Sequence, residues 1–135
     1  SLSLSLSLSL THTHTHTLIG WDYSSRWFAD GRELRSINAS VVLPVDLNAV
    51  LYRMELNLAT LHEMQGDTTR SAAYRRAAAN RRAAMLAVMW NSTLGQFVDT
   101  ALDGRPLHRT TPVSNFLPVW AFPEARRRNK RRRRR

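Results

Sequence analysis

The densest group of side chains able to do chemistry is Gly20-Trp21-Asp22-Tyr23-Ser24-Ser25-Arg26-Trp27-Phe28. Aromatic rings stack on the apolar faces of pyranoses, and charged groups bind sugar hydroxyls. One carboxyl group must protonate the oxygen that leaves when a glycosidic bond breaks. A sugar site therefore needs the residue types gathered in this stretch. The same types also suit a structural loop, with Trp27 and Phe28 as core anchors and Asp22 and Arg26 as an ion pair. Residue types alone leave both readings open.

Other chemistries have less to stand on. The chain has 135 residues and no cysteine, which removes disulfide frameworks, thiolate metal sites and cysteine nucleophiles. His12, His14 and His16 would share one face of an extended strand and could form a weak metal site. A plainer origin is expected for them. Residues 1–10 alternate Ser and Leu, and residues 11–17 alternate Thr and His. A CT dinucleotide repeat read in triplets encodes Ser-Leu, and an AC repeat encodes Thr-His. Residues 1–17 therefore read as translated microsatellite.

The formal charge of +10 suggests a polyanion binder, but nine of the 20 basic residues lie in residues 126–135. The rest of the chain nearly balances its 10 acidic residues. A near-neutral body with a basic, low-complexity tail is not a basic domain. No nucleic acid is expected of the folded part. No apolar run approaches the roughly 20 residues of a membrane-spanning helix. Ser1–Leu10 lacks the basic lead and continuous apolar stretch of a secretory signal.

These side chains need elements to hold them. Gly20 to Asp46 has no sustained helical period and reads as a long ordered loop, a kind of segment that tends to carry function. Leu47, Val50, Leu51, Met54, Leu58 and Leu61 then recur at helical spacing and predict a buried helix face. Asp46 is the expected cap and Gly66 the expected stop. Asp67 or Thr68 can cap a second helix, alanine- and arginine-rich from Ser71 to Trp90. Its expected buried side is Tyr74, Ala77, Ala78, Ala84, Met85, Val88 and Met89. Arg75, Arg76, Arg81 and Arg82 fall largely off that stripe and read as a solvated face. Asn91 to Gly95 reads as a turn, Gln96 to Asp99 as a short strand, and Asp103-Gly104 as a hairpin turn. A third helix is expected at or after Ser114, interrupted by Pro118. Such hairpins are units of an all-helical array or toroid, not a closed core.

The ordered motifs carry a family resemblance. Gly20-Trp21-Asp22-Tyr23-Ser24-Ser25-Arg26-Trp27 resembles the Gly-Trp-Asp-(Phe/Tyr)-Ser-Ser-Arg-Trp motif of α,α-trehalases. Leu43-Pro44-Val45-Asp46-Leu47-Asn48-Ala49 resembles that family's Pro-Val-Asp-Leu-Asn segment, with Leu51-Tyr52 and Glu55 following at matching intervals. Trp90-Asn91, Gly95 and Asp99 resemble its Trp-(Asp/Asn)…Gly…Asp stretch, and Ser114 to Ala121 its Ser-Asn…Pro-Leu-Trp segment. The resemblance implies an all-α fold, part of an (α/α)6 barrel. It implies an inverting glycoside hydrolase that splits α,α-trehalose into two glucose molecules and needs no cofactor. A general-acid Asp protonates the glycosidic oxygen, and a general-base Glu about 6.5–9.5 Å away activates water. By motif position Asp22 is the acid, and Gly20 lines the substrate site through its backbone. Arg26 is expected to be a structural partner within the loop.

The sequence also departs from the family pattern. Leu18-Ile19 stand where the family has Glu-Ser, and Ala101 replaces a common acidic residue. The Pro-Gly-Gly-Arg and Gln-Trp-Asp signatures, the upstream substrate-binding arginines and the general-base segment are not among these residues. The expectation is an internal piece of a larger gene: residues 1–17 repeats, 18–125 a partial catalytic domain inactive alone, and 126–135 a basic tail. Asn38-Ala39-Ser40 and Asn91-Ser92-Thr93 are N-glycosylation triplets and lean the full-length protein toward a secreted or membrane-anchored extracellular place. The alternatives are a non-catalytic helical binding module and a nuclear or nucleic-acid protein driven by the tail.

Overall fold

The computed structural model describes residues 25–107 and 113–122. They fall in two units that divide between Val42 and Leu43. The histidine triplet, the repeats and the basic tail lie outside the described residues.

The first unit is the ordered, irregular loop that its composition predicts. Single 3-10 turns at Ser25–Trp27, Leu34–Ser36 and Ala39–Val41 are separated by extended residues. An antiparallel bridge between Phe28 and Ile37 closes the loop on itself. The Ala29 N–H donates to the Ser36 carbonyl at 2.7 Å, and the Asn38 N–H to the Trp27 carbonyl at 2.9 Å. Backbone groups that find no helix or sheet partner are satisfied locally in this way.

The second unit is built on a helical hairpin. Helix α1, Val45–Met64, and helix α2, Thr68–Ala84, are joined by three residues. Gly66 takes φ 78°, the left-handed conformation glycine adopts without a Cβ clash. Its N–H reaches the Glu63 carbonyl at 3.0 Å, and the Asp67 N–H reaches His62 at 2.9 Å. The end of α1 is thereby capped as expected. Asp67, not Thr68, caps α2: its carboxylate accepts the Arg70 N–H at 2.9 Å.

The start of α1 differs from expectation. The helix begins at Val45, so Asp46 sits inside the first turn, buried, and accepts the Leu47 N–H at 2.9 Å. The orphan Val45 N–H is met from far along the chain, by Asp99 Oδ1 at 2.9 Å. A cap supplied 54 residues away leaves no local signal in sequence.

The buried face of α1 also differs. Val45, Asn48, Ala49, Tyr52 and Ala59 are buried, whereas Met54 and Leu61 are 52% and 54% exposed. Of the expected stripe, Val50, Met54 and Leu61 are exposed, while Leu47, Leu51 and Leu58 are half-buried. On α2 the fully buried helical positions are again small, Ser71 and Ala78. Small residues let two helices approach closely, and a periodicity counted on Leu and Met overlooks them.

Past α2 the chain makes a π-helical turn, Met85–Met89, with both methionines buried. This refines the long second helix to an α-helix followed by a wider turn. Strand β1 is Val42–Leu43, and two small hairpins follow the π turn. Strands β2, Trp90–Asn91, and β3, Gln96–Phe97, pair antiparallel around the expected turn. Strands β4, Asp99–Ala101, and β5, Pro106–Leu107, pair around Asp103-Gly104. Val113–Phe116 forms a 3-10 turn that leads into α3, Leu117–Ala121. Pro118 sits in the first turn of α3, where its missing N–H costs no bond, so it starts the helix instead of interrupting it.

An aromatic cluster binds these pieces. Tyr52 meets Phe122 edge-on at 5.1 Å, Phe122 meets Phe97 at 5.7 Å, and Phe97 meets Trp90 at 5.0 Å. Each such pair adds about 0.5–1.5 kcal/mol beyond burial. The Arg82 guanidinium lies 5.4 Å over the Phe122 ring, so Arg82 serves this cluster rather than a solvated face.

Candidate functional site

The loop unit takes its shape from one carboxylate. Asp30 Oδ1 accepts the N–H of Arg32 at 2.8 Å and of Glu33 at 2.9 Å, and the Ser36 hydroxyl at 2.6 Å. The Ser36 hydroxyl, then the Glu33 and Arg32 amides, hold the Asp30 carboxyl down from 3.8 to about 2. Bonds made only to the charged form account for the direction. The folded value lies below the unfolded one, so the contribution to loop stability is complete above about pH 3.8 and is lost as pH falls through about 2. The amide signals of Arg32 and Glu33 are expected to titrate with a midpoint near 2, and a midpoint near 3.8 would show that the turn is not formed.

Upstream of this turn, the Arg26 guanidinium lies 5.0 Å over the ring of Trp27, which is buried. Arg26 is thus held within the loop, as its structural reading expects, by cation–π attraction to an electron-rich ring face. Asp22 and Gly20, the two sequence-predicted site residues, lie outside the described residues, as do Trp21 and Tyr23.

The motif residues downstream hold the fold. Arg81 makes a bidentate contact with Glu55, Nη2 at 2.8 Å and Nε at 3.0 Å from Oε1, with Nε 3.1 Å from Oε2. Its Nη1 donates to Asn48 Oδ1 at 3.0 Å, and Asn48 Nδ2 donates to the Pro44 carbonyl at 2.9 Å. The two charged side chains are 19% and 14% exposed. One guanidinium therefore ties the last turn of α2 to the middle and the start of α1, and Asp99 holds that start from the β4 side. A planar fork that satisfies a carboxylate and an amide together is a task for arginine and not lysine.

Arg81, expected on a solvated face, lies inside the buried stripe. Its spacing carries the signal. It stands three residues after Ala78 and four before Met85, both buried. Arg75 and Arg76 are exposed as expected, and Arg75 pairs with Glu63 across the hairpin. At the other end of the unit, buried Ser114 Oγ and Asn115 Oδ1 have no hydrogen-bond partner among the described residues.

With this geometry in view, comparison with known proteins gives a consistent answer. The family model described as Trehalase matches residues 10–134. A probable trehalase of Oryza sativa subsp. japonica is 33% identical over 113 residues, covering 75% of this chain and 20% of the relative. A periplasmic trehalase of Xanthomonas axonopodis pv. citri is 39% identical over 103 residues, covering 76% of this chain and 18% of the relative. A periplasmic trehalase of Citrobacter koseri is 31% identical over 107 residues, covering 79% of this chain and 19% of the relative. The chain spans about a fifth of the length of these curated relatives.

Proposed function

The chain belongs to the trehalase family, and on that footing we propose that it is one segment of a glycoside hydrolase that cleaves α,α-trehalose with inversion. The observation that carries this reading is the unbroken Gly20-to-Trp27 motif, with Asp22 at the position of the family's acid, inside the matched residues. In this reading residues 18–125 are the functional segment, and residues 1–17 and 126–135 take no part in catalysis. Asp22 is the proton donor, and the Gly20 backbone lines the sugar site. The Asp30 turn and the Arg26–Trp27 stack order the loop unit itself. Arg81, Glu55, Asn48 and Asp99 are spent on the helical scaffold and are left out of the chemistry.

The scaffold itself fits a part of a larger helical array. Val50, Met54, Leu61 and Met64 leave an exposed apolar stripe on α1, and Phe116, Val119 and Trp120 leave another around α3. Single exposed apolar side chains are ordinary, but helical stripes of them suit further packing.

The test is glucose release from trehalose. A full-length protein carrying this segment is expected to release glucose and to yield one glucose as the β-anomer first, the mark of inversion. The 135-residue chain alone is expected to release none, because no general-base Glu of the family pattern is among its residues. Turnover by the short chain at ordinary enzyme rates would overturn the incomplete site. A full-length protein inert on trehalose would overturn the substrate.

A further inference from the structure

Two Asn-x-Ser/Thr triplets lie in the chain, and the glycosidase reading uses neither. Their settings differ. Asn91 is half-buried in β2, paired with Gln96, and its Oδ1 accepts the Leu94 N–H at 3.0 Å. Its carboxamide closes the β2–β3 turn. Asn38 stands in the loop unit, just before the 3-10 turn Ala39–Val41, and both Asn38 and Ser40 are exposed. The Ser40 hydroxyl donates to Asn38 Oδ1 at 2.9 Å, so the amide and the hydroxyl that define the triplet lie together on one exposed surface. The Asn38 backbone is fixed separately, through its N–H to the Trp27 carbonyl. Leu34, Ile37 and Val41 stand 67%, 49% and 38% exposed beside it.

We propose that Asn38 is an acceptor for an N-linked glycan. The donor class is a lipid-pyrophosphate-linked oligosaccharide. The Asn38 amide nitrogen forms a bond to the first sugar's C1, and the C1–O bond to the pyrophosphate breaks. The lipid pyrophosphate leaves with that electron pair, and the amide nitrogen gives up one proton to a base of the transferase. A bulky, solubilising group is accommodated where the amide already faces water and the backbone does not depend on it. The first sugars would cover Leu34, Ile37 and Val41, the exposed apolar residues of this loop. The proposal is independent of the trehalose reading and fails or stands without it.

The test directs the full chain into the secretory route of a eukaryotic cell with a cleavable leader and an added C-terminal Asn-x-Thr tag. The glycosylated tag reports passage past the transferase. Tag-positive chains are treated with an N-glycosidase in heavy-oxygen water, which converts each formerly glycosylated Asn to a labelled Asp. Peptide mass spectrometry is expected to find the label at Asn38, and to lose it there in Ser40→Ala while Asn91→Gln leaves it in place. Absence of label at Asn38 in tag-positive chains overturns the proposal, whatever the state of Asn91. Persistence of the Asn38 label in Ser40→Ala overturns it as well, since the triplet would then not be the recognised feature.

Discussion

Replacing Asp22 with Asn in a full-length enzyme carrying this segment is expected to lower trehalose hydrolysis by about 10²–10⁴-fold. The substitution keeps the shape of the side chain and removes its proton. The leaving glucose would then depart as an alkoxide, a charge that a closed, water-excluded site without a proton donor stabilises poorly. A substrate whose leaving group needs no proton separates acid catalysis from binding. On α-glucosyl fluoride the variant is expected to retain far more of its activity, because only the acid's task has been bypassed. Equal losses on both substrates would assign Asp22 to positioning the sugar. No loss on either would leave the family resemblance supporting the fold but not this residue's role.

Replacing Arg81 with Met is expected to be the most destabilising single change in the described part of the chain. Glu55 would keep a charge in a site where its side chain is only 14% exposed, and Asn48 would lose a donor to its Oδ1. Removing one partner of a fully buried ion pair costs about 3–5 kcal/mol, and this half-buried pair is expected at or below the lower end of that range. That is a large share of the 5–15 kcal/mol by which whole domains are stable. Amide hydrogen exchange across Val45–Tyr52 and helical circular dichroism of the 135-residue chain both report on the hairpin. Exchange in α1 is expected to accelerate and the helical signal to fall. Pairing Arg81→Met with Glu55→Leu removes the stranded charge and is expected to recover much of the loss. Arg81→Lys keeps the charge without the fork and is expected to fall between. If Arg81→Met exchanges like the unaltered chain, the clamp contributes nothing and the hairpin is held by packing alone.

Residue order alone dictates the elements whose causes are local. A loop without helical period, two helices joined at Gly66, a cap at Asp67 or Thr68, and turns at Asn91–Gly95 and Asp103-Gly104 all follow from residues within a few positions of each other. It also determined the family, because the motifs occur in order and at matching intervals and the family match spans residues 10–134. The candidate site was legible only as a motif: Asp22 and Gly20 are named by position in a pattern, and nothing in their spacing fixes where the carboxyl group points. Features that depend on distant partners are set only by the fold. The large apolar residues of α1 mark a helix, but which side of it meets α2 depends on small residues such as Ala49, Ala59 and Ala78, which carry little hydrophobic signal. Asp99 became a cap for Val45, and Arg81 left the solvated face to clamp Glu55 and Asn48. A charge at helical spacing reads as exposed until its counter-charge is brought beside it from another helix. Here that partner stands 26 residues away in sequence and 2.8 Å away in the fold.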